Sequence, residues 1–126
     1  MKAIRKITIF TMALFFILSR GSAFASSEII INEFLAKPST GNYEWVEFYN
    51  PTDTAIDLSD YYFDDDTDID SDSGTSAKVA LSGLLEGKKN CYWELPSYLN
   101  NNGDSPSLFK VGQNIAVDTY TYSTAD

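Results

Sequence analysis

Alternating aspartates mark the most acidic stretch of the chain, residues 64–74. The candidate metal ligands in this stretch are Asp66, Asp68, Asp70 and Asp72. Calcium takes about six to eight oxygen ligands in flexible geometry, so clustered carboxylates of this kind could supply a site. The EF-hand spacing is not met, because a loop starting at Asp68 would place Ser73 where glycine is required and Val79 where a bidentate glutamate belongs.

Two interpretations of this acidic loop remain open. The first is a calcium site with a modest affinity, on the order of the millimolar to submillimolar values of extracellular modules. The second is a solvated segment whose like charges repel one another. We predict no cofactor, with calcium as the alternative if the first interpretation holds.

Catalytic chemistry is restricted by the absence of histidine from the whole sequence. Triads that use imidazole as the base are excluded, and so are histidine metal sites. Paired carboxylates remain as acid and base candidates, and Glu33, Glu44 and Glu47 are the ones that predicted strands would position. We predict a protein that is not an enzyme, with a carboxylate-based hydrolase as an alternative.

Aromatic residues offer another kind of site, because ring faces stack on sugars and peptides. The candidates for an exposed platform are Tyr61, Tyr62, Trp93, Tyr98, Tyr120 and Tyr122. Packing in the core or along an edge strand is the other interpretation of the same residues.

The first 25 residues have the composition of an export signal. A positive start at Lys2, Arg5 and Lys6 precedes an apolar run over residues 7–18, and Ala23 to Ala25 supply an A-x-A cleavage pattern. The apolar run is shorter than the roughly 20 residues that a membrane-spanning helix needs. We therefore predict that residues 1–25 are a signal peptide, that residues 26–126 form one domain, and that no membrane span remains after cleavage.

The predicted exported domain is strongly acidic. Its five lysines and eighteen acidic residues give a net charge of −13, because Lys2, Arg5, Lys6 and Arg20 all lie in the signal peptide. This charge disfavours binding to nucleic acid, whose affinity depends on basic residues. The expected partner is a protein or cell-surface ligand, and the expected location is secreted, extracellular or in the cell envelope (periplasm).

The lone cysteine, Cys91, allows no internal disulfide. Packing must therefore stabilise the domain, and Cys91 is interpreted as a buried small apolar residue, with a reactive thiol as the alternative.

Short β-type runs separated by turn residues recur after position 25, and no sustained helical period is present. The predicted strands are 28–36, 43–50, 55–58, 61–63, 78–81, 90–95, 107–111 and 116–122, with 84–87 as a hairpin or short connection. Alternation along 43–50 places Val46 and Phe48 on one face, and we expect the core to form around them and Trp45. The stretch 99–104 predicts a tight turn in which Gly103 takes positive φ. The spacing is typical of an all-β sandwich or barrel, and seven to nine short strands fit an antiparallel Greek-key sandwich.

Four stretches resemble the lamin tail domain in its exported bacterial form. They are Ile31-Asn32-Glu33, Glu44-Trp45-Val46-Glu47-Phe48-Tyr49-Asn50, the turn from Leu99 to Asp104, and Val117-Asp118 to Tyr122. Their order covers nearly all of residues 28–122. The resemblance implies an immunoglobulin-like sandwich with a binding or tethering role, in which the Asn and Glu positions of the first two strands satisfy backbone groups.

Two departures from the family pattern lead to further expectations. Between the second and third of these stretches the family usually has Leu followed by Gly and Trp, whereas this chain has Leu58-Ser59 followed by Asp60-Tyr61, so we expect a similar turn with less burial. The family also tends to continue beyond its final tyrosine. We therefore expect that the sandwich lacks its last strand, either because the sequence is truncated or because it ends with an exposed edge.

Overall fold

The computed structural model describes residues 27–70 and 77–124. In these two ranges the chain forms nine strands and one short 3-10 helix at Leu58–Asp60. The strands are β1 (Ile30–Leu35), β2 (Glu44–Tyr49), β3 (Ile56–Asp57), β4 (Tyr61–Asp64), β5 (Val79–Ala80), β6 (Leu84–Leu85), β7 (Asn90–Leu95), β8 (Ser107–Lys110) and β9 (Ala116–Thr119). The predicted signal peptide, residues 1–25, lies outside the described residues and stays a prediction.

Three antiparallel sheets are formed by these strands. The first has the order β1-β2-β7, the second is the pair β3-β6, and the third has the order β5-β4-β8-β9. The neighbours β2 and β7 are separated in the chain by strands of the other sheets, so the connections cross between layers. The prediction of an all-β, immunoglobulin-like sandwich is confirmed.

The core lies between the three-stranded and the four-stranded sheet. Val46 and Phe48 of β2 point into it with 0% exposure, as the alternation predicts. The ring of Phe48 meets Phe63 of β4 edge to face, with 5.8 Å between the ring centres. Burial of one such side chain contributes about 1.5–3 kcal/mol. The expectation that Trp45 joins this core is wrong, because its place between two inward residues turns it to the opposite side of the sheet.

The 3-10 turn before β4 is more buried than its sequence suggests. Asp57 caps it, since its Oδ1 accepts a hydrogen bond from the Ser59 N–H at 2.9 Å. The expectation of less burial is wrong, because Leu58 is 3% and Tyr61 2% exposed. The Tyr61 hydroxyl donates to the carboxylate of Glu28. Because the hydroxyl has a hydrogen-bond acceptor, the Tyr61 ring can be buried at little cost in free energy.

The turn over residues 99–104 forms as predicted, and Gly103 has φ +128°. A Cβ atom at Gly103 would lie 3.0 Å from the carbonyl oxygen of Tyr122. Glycine is thus required both by the backbone angle and by the neighbouring chain, which pairs with the turn through Asp104 and Tyr122.

Among the described strands, β9 is one edge of the four-stranded sheet, and it contacts β1 of the opposite layer. The Ile31 N–H donates to Asp118 Oδ2 at 2.8 Å. Phe34 contacts the rings of Tyr120 and Tyr122, each at 5.4 Å between ring centres. The segment that follows β9 therefore packs on β1, which shields this side of the sandwich.

Candidate functional site

The solvent-facing side of the three-stranded sheet carries rings and carboxylates in alternation. Because Val46 and Phe48 point inward, their neighbours on β2 point outward, as do alternate residues of β7. We call the outward group the outer face: Trp45, Glu47, Tyr49, Asn90, Tyr92 and Glu94.

Glu47 lies at the centre of the outer face and is held by two amides. Its Oε1 accepts hydrogen bonds from Asn32 Nδ2 at 2.6 Å and from Asn90 Nδ2 at 2.8 Å. A bulge in β1 between Ile31 and Glu33 brings the Asn32 side chain to this side of the sheet. The carboxylate therefore has a defined orientation, set by one amide from each neighbouring strand.

The strand register places a ring beside each carboxylate of the outer face. Glu47 lies opposite Tyr92, and Trp45 lies opposite Glu94. Directly opposed side chains have Cβ atoms about 5 Å apart, close enough for contact. Tyr92 is 67% exposed, so its ring is open to a ligand.

Three clefts follow this surface and share walls. One of about 270 Å³ is lined by Trp45, Glu47 and Tyr92. A second of about 490 Å³ extends from Trp45 and Glu94 toward the loop before β2, which includes Tyr43. A third of about 360 Å³ lies at Tyr92, Trp93 and Glu94 on the β7 edge. Because they share Trp45, Tyr92 and Glu94, these shallow clefts adjoin one another along the outer face.

Sequence reasoning proposed other aromatic residues as the platform. Tyr61 is buried, and Trp93 is only partly exposed because its register with Val46 turns it toward the core. The rings of Tyr98 and Tyr122 pack on the core residues Phe63 and Phe34.

Tyr62 is partly buried, and Tyr120, at 59%, is exposed but belongs to the opposite layer. The exposed ring of Tyr92 and the outward-facing, partly exposed ring of Trp45 were missed as a platform. Trp45 is next to Val46 in the sequence, and Tyr92 is next to the core-facing Trp93. Because strand side chains alternate between faces, this pattern could have identified both rings as outward-facing.

Three of the four predicted metal ligands, Asp66, Asp68 and Asp70, lie in the described part of the acidic loop. Asp66 Oδ1 accepts from the Asp68 N–H at 2.7 Å, and Asp68 Oδ1 accepts from the Asp70 N–H at 3.2 Å. Asp72 lies outside the described residues. Within 27–70 and 77–124, no group of three or more Asp, Glu, Cys or His side chains could hold a metal ion. The calcium site therefore stays a prediction.

Asp64, the last residue of β4 and the first of the acidic stretch, is only 2% exposed. Its Oδ1 accepts a hydrogen bond from the Asp65 N–H at 2.9 Å, whereas its buried Oδ2 has no hydrogen-bond partner among the described residues. Burial raises the pKa of Asp64 to about 7, and the neighbouring Asp66 and Asp65 carboxylates add to the rise. Burial likewise raises the pKa of Asp104.

The three glutamates proposed as acid or base candidates have different surroundings. Glu44 is buried, and its Oε2 accepts hydrogen bonds from the backbone N–H groups of Tyr98 and Leu99, both at 2.6 Å. This is the backbone-satisfying role that the resemblance implies. Glu33 and Glu47 lie opposite each other in the β1–β2 register, on the solvent side of the sheet.

Cys91 lies on the inner side of β7, opposite Phe48, and is half-buried. Burial raises the pKa of its thiol, and the charge of Glu47 raises it further. A thiol in these surroundings is less readily ionised than a free one, which agrees with its interpretation as a small packing residue.

A two-layer antiparallel sandwich of short strands is the architecture of an immunoglobulin-like module. The sequence matches the family model described as Lamin Tail Domain over residues 22–124. The chain therefore belongs to the lamin tail domain family, a family of generally non-catalytic, immunoglobulin-like modules. Comparison with curated proteins and with solved structures finds no match. Across the described part of the chain, no helix is long and apolar enough to span a membrane.

Proposed function

We propose that this chain is an exported, non-catalytic module that binds or tethers a protein or cell-surface ligand through its outer face. The observation that carries this proposal is the cleft at Trp45, Glu47 and Tyr92. Exposed rings bind ligands with large contact area and little loss of side-chain freedom. A carboxylate oriented by two amides adds a polar group at a defined position.

The three-stranded sheet is a rigid support, and this favours the outer face over the loops as the binding surface. Glu47 and Trp45 are central in a three-stranded sheet whose inner side is filled by fully buried Val46 and Phe48. Groups on a packed sheet keep their geometry, and a preorganised surface loses less entropy when it binds. Because the core lies on the inner side of the sheet, substitutions on the outer face should leave the core packing unchanged.

An envelope-binding assay tests the proposal. Purified protein is sedimented with envelopes from the producing cells, and a W45A/Y92A variant should lose at least about tenfold in bound fraction, as expected for removal of two anchoring rings. Ile115→Ala serves as the control, because Ile115 is 81% exposed outside the outer face. Equal binding by W45A/Y92A, at an unchanged Tm, would refute the role of this face.

Export is a separate part of the proposal. The charged start, apolar run and A-x-A pattern of residues 1–25 support removal of a signal peptide after Ala25. N-terminal sequencing of the exported protein should return Ser26, and a start at Met1 would contradict cleavage.

Calcium binding by the acidic loop is a second candidate function. Its support is the buried Asp64 Oδ2, which has no hydrogen-bond partner among the described residues and lies at the end of β4, directly before the loop. A cation would satisfy this oxygen and reduce the repulsion along the loop. Addition of about 5 mM Ca²⁺ should raise the Tm by about 3 °C relative to EDTA. The rise should be lost in Asp68→Asn, and an unchanged wild-type Tm would refute calcium binding.

A further inference from the structure

The register of the three-stranded sheet surrounds Glu47 with rings and with a second carboxylate. Glu47 lies opposite Tyr92 of β7 and opposite Glu33 of β1. Trp45 and Tyr49 are two residues away on the same strand, and thus about 7 Å to either side on the same face. One carboxylate therefore has three aromatic neighbours and one acidic neighbour.

Two carboxylates directly opposed across strands repel each other. The amides of Asn32 and Asn90 orient Glu47, but both are neutral donors, and the ion pairs of residues 27–70 and 77–124 do not include Glu47. The sequences of β1, β2 and β7 contain no lysine or arginine. The chain as a whole carries a net charge of −9. A ligand that brings positive charge to this face would relieve the repulsion.

We propose that the outer face binds a basic, extended polypeptide segment, with a lysine or arginine side chain seated over Glu47 between Trp45 and Tyr92. This inference rests on the proposed function and names the chemistry of its ligand. Ring faces attract ammonium and guanidinium groups, and an adjacent carboxylate adds a direct ion pair. The adjoining clefts at Glu94 allow a second basic side chain of the same segment to bind.

Isothermal titration with an eight-residue oligolysine tests the inference on the full protein. Glu47→Gln removes the central charge while preserving shape, and it should weaken binding at least about fivefold. Glu86→Gln removes one charge at a position outside the outer face, so it is the matched control and should change the affinity less than about twofold. Trp45→Leu should also weaken binding, since it removes the larger ring.

Three outcomes overturn the inference. The first is no measurable binding of oligolysine by the wild-type protein. The second is an equal loss of affinity in Glu47→Gln and Glu86→Gln, which would show attraction to the net charge alone. The third is binding of a neutral oligosaccharide, but not oligolysine, at a site lost in Trp45→Leu. That third result would leave the outer face as a binding surface and so separates failure of this inference from failure of the proposed function.

Discussion

The Oε2 atom of Glu44 lies 2.6 Å from the backbone nitrogen of Leu99, a residue 55 positions further along the chain. The same oxygen accepts a hydrogen bond from the Tyr98 N–H. Both donors follow β7, where Pro96 and Ser97 end the strand and Ser97 has φ +56°. Glu44 thus anchors the start of the 99–104 turn to β2.

Replacing Glu44 by alanine should lower the free energy of unfolding by about 2–4 kcal/mol. The physical reason is that two backbone N–H groups would lose their acceptor, at about 1–3 kcal/mol each when buried. Urea denaturation measures the effect. Glu94→Ala, at an exposed site, should stay within about 0.5 kcal/mol of wild type. Similar losses in the two variants would show that Glu44 has no special role.

Asn50 is fully buried and uses all its hydrogen-bonding capacity. Its Nδ2 donates to the carbonyl oxygens of Thr54 and Leu85, and its Oδ1 accepts from the Thr52 N–H and hydroxyl. Asn50→Asp replaces the donor by an oxygen that faces two carbonyls. We expect a loss of about 3 kcal/mol or more in urea denaturation at neutral pH. Asn101→Asp, in an exposed turn, is the control, and comparable stability of the two variants would contradict the prediction.

Asp64 should make the protein less stable as the pH rises. Its pKa is about 7 in the folded protein, above the ordinary 3.8. Between these values the folded state retains the proton more than the unfolded state does, so the stability present below about pH 4 decreases until the pH passes about 7. In EDTA, unfolding free energy should fall by on the order of 2 kcal/mol from about pH 5 to about pH 8.

Asp64→Asn tests this assignment, because the amide resembles the protonated carboxyl. The variant should show at most about half of the wild-type decrease, the remainder arising from Asp104, whose pKa is raised in the same direction. Asp60→Asn, at an exposed position, should keep the full decrease. A wild-type stability that rises over this pH interval would disprove the prediction.

Cys91 should react slowly with thiol reagents. Burial and the charge of Glu47 both raise its pKa, and the thiolate is the reactive form. At about pH 8, alkylation should be at least about fivefold slower than that of glutathione. Glu47→Gln should accelerate it, whereas Glu86→Gln should not. A Cys91 that reacts as fast as glutathione would favour the reactive-thiol interpretation.

Strand positions in this chain are predictable because they depend on local patterns. The strand predicted at 90–95 forms with those bounds, and the others form within their predicted ranges or differ by a few terminal residues. Alternation of side chains also identified Val46 and Phe48 as core residues. The positive φ at Gly103 was also predictable from the local sequence, because glycine is favoured at such backbone angles whatever the rest of the fold.

Partners across the sheet were not predictable from local patterns. The pairing of Glu47 with Tyr92 and Glu33 depends on strand register, which involves residues far apart in the chain and a bulge at Asn32. A shift of one residue would turn every side chain of a strand to the other face. Alternation alone separates Trp45 from the core-facing Val46, but the partners of Glu47 across the sheet emerged only from the register.

By itself, the sequence determined an all-β sandwich with an acidic surface, no imidazole chemistry, and an inward face at Val46 and Phe48. These properties follow from composition and from the two-residue period of a strand. Only the packed layers show that Tyr61 is buried and that the Asp64 carboxyl lies inside. Both outcomes depend on which distant segments of the chain cover the residue. Such burial arises from the packing of the two layers and not from any one strand.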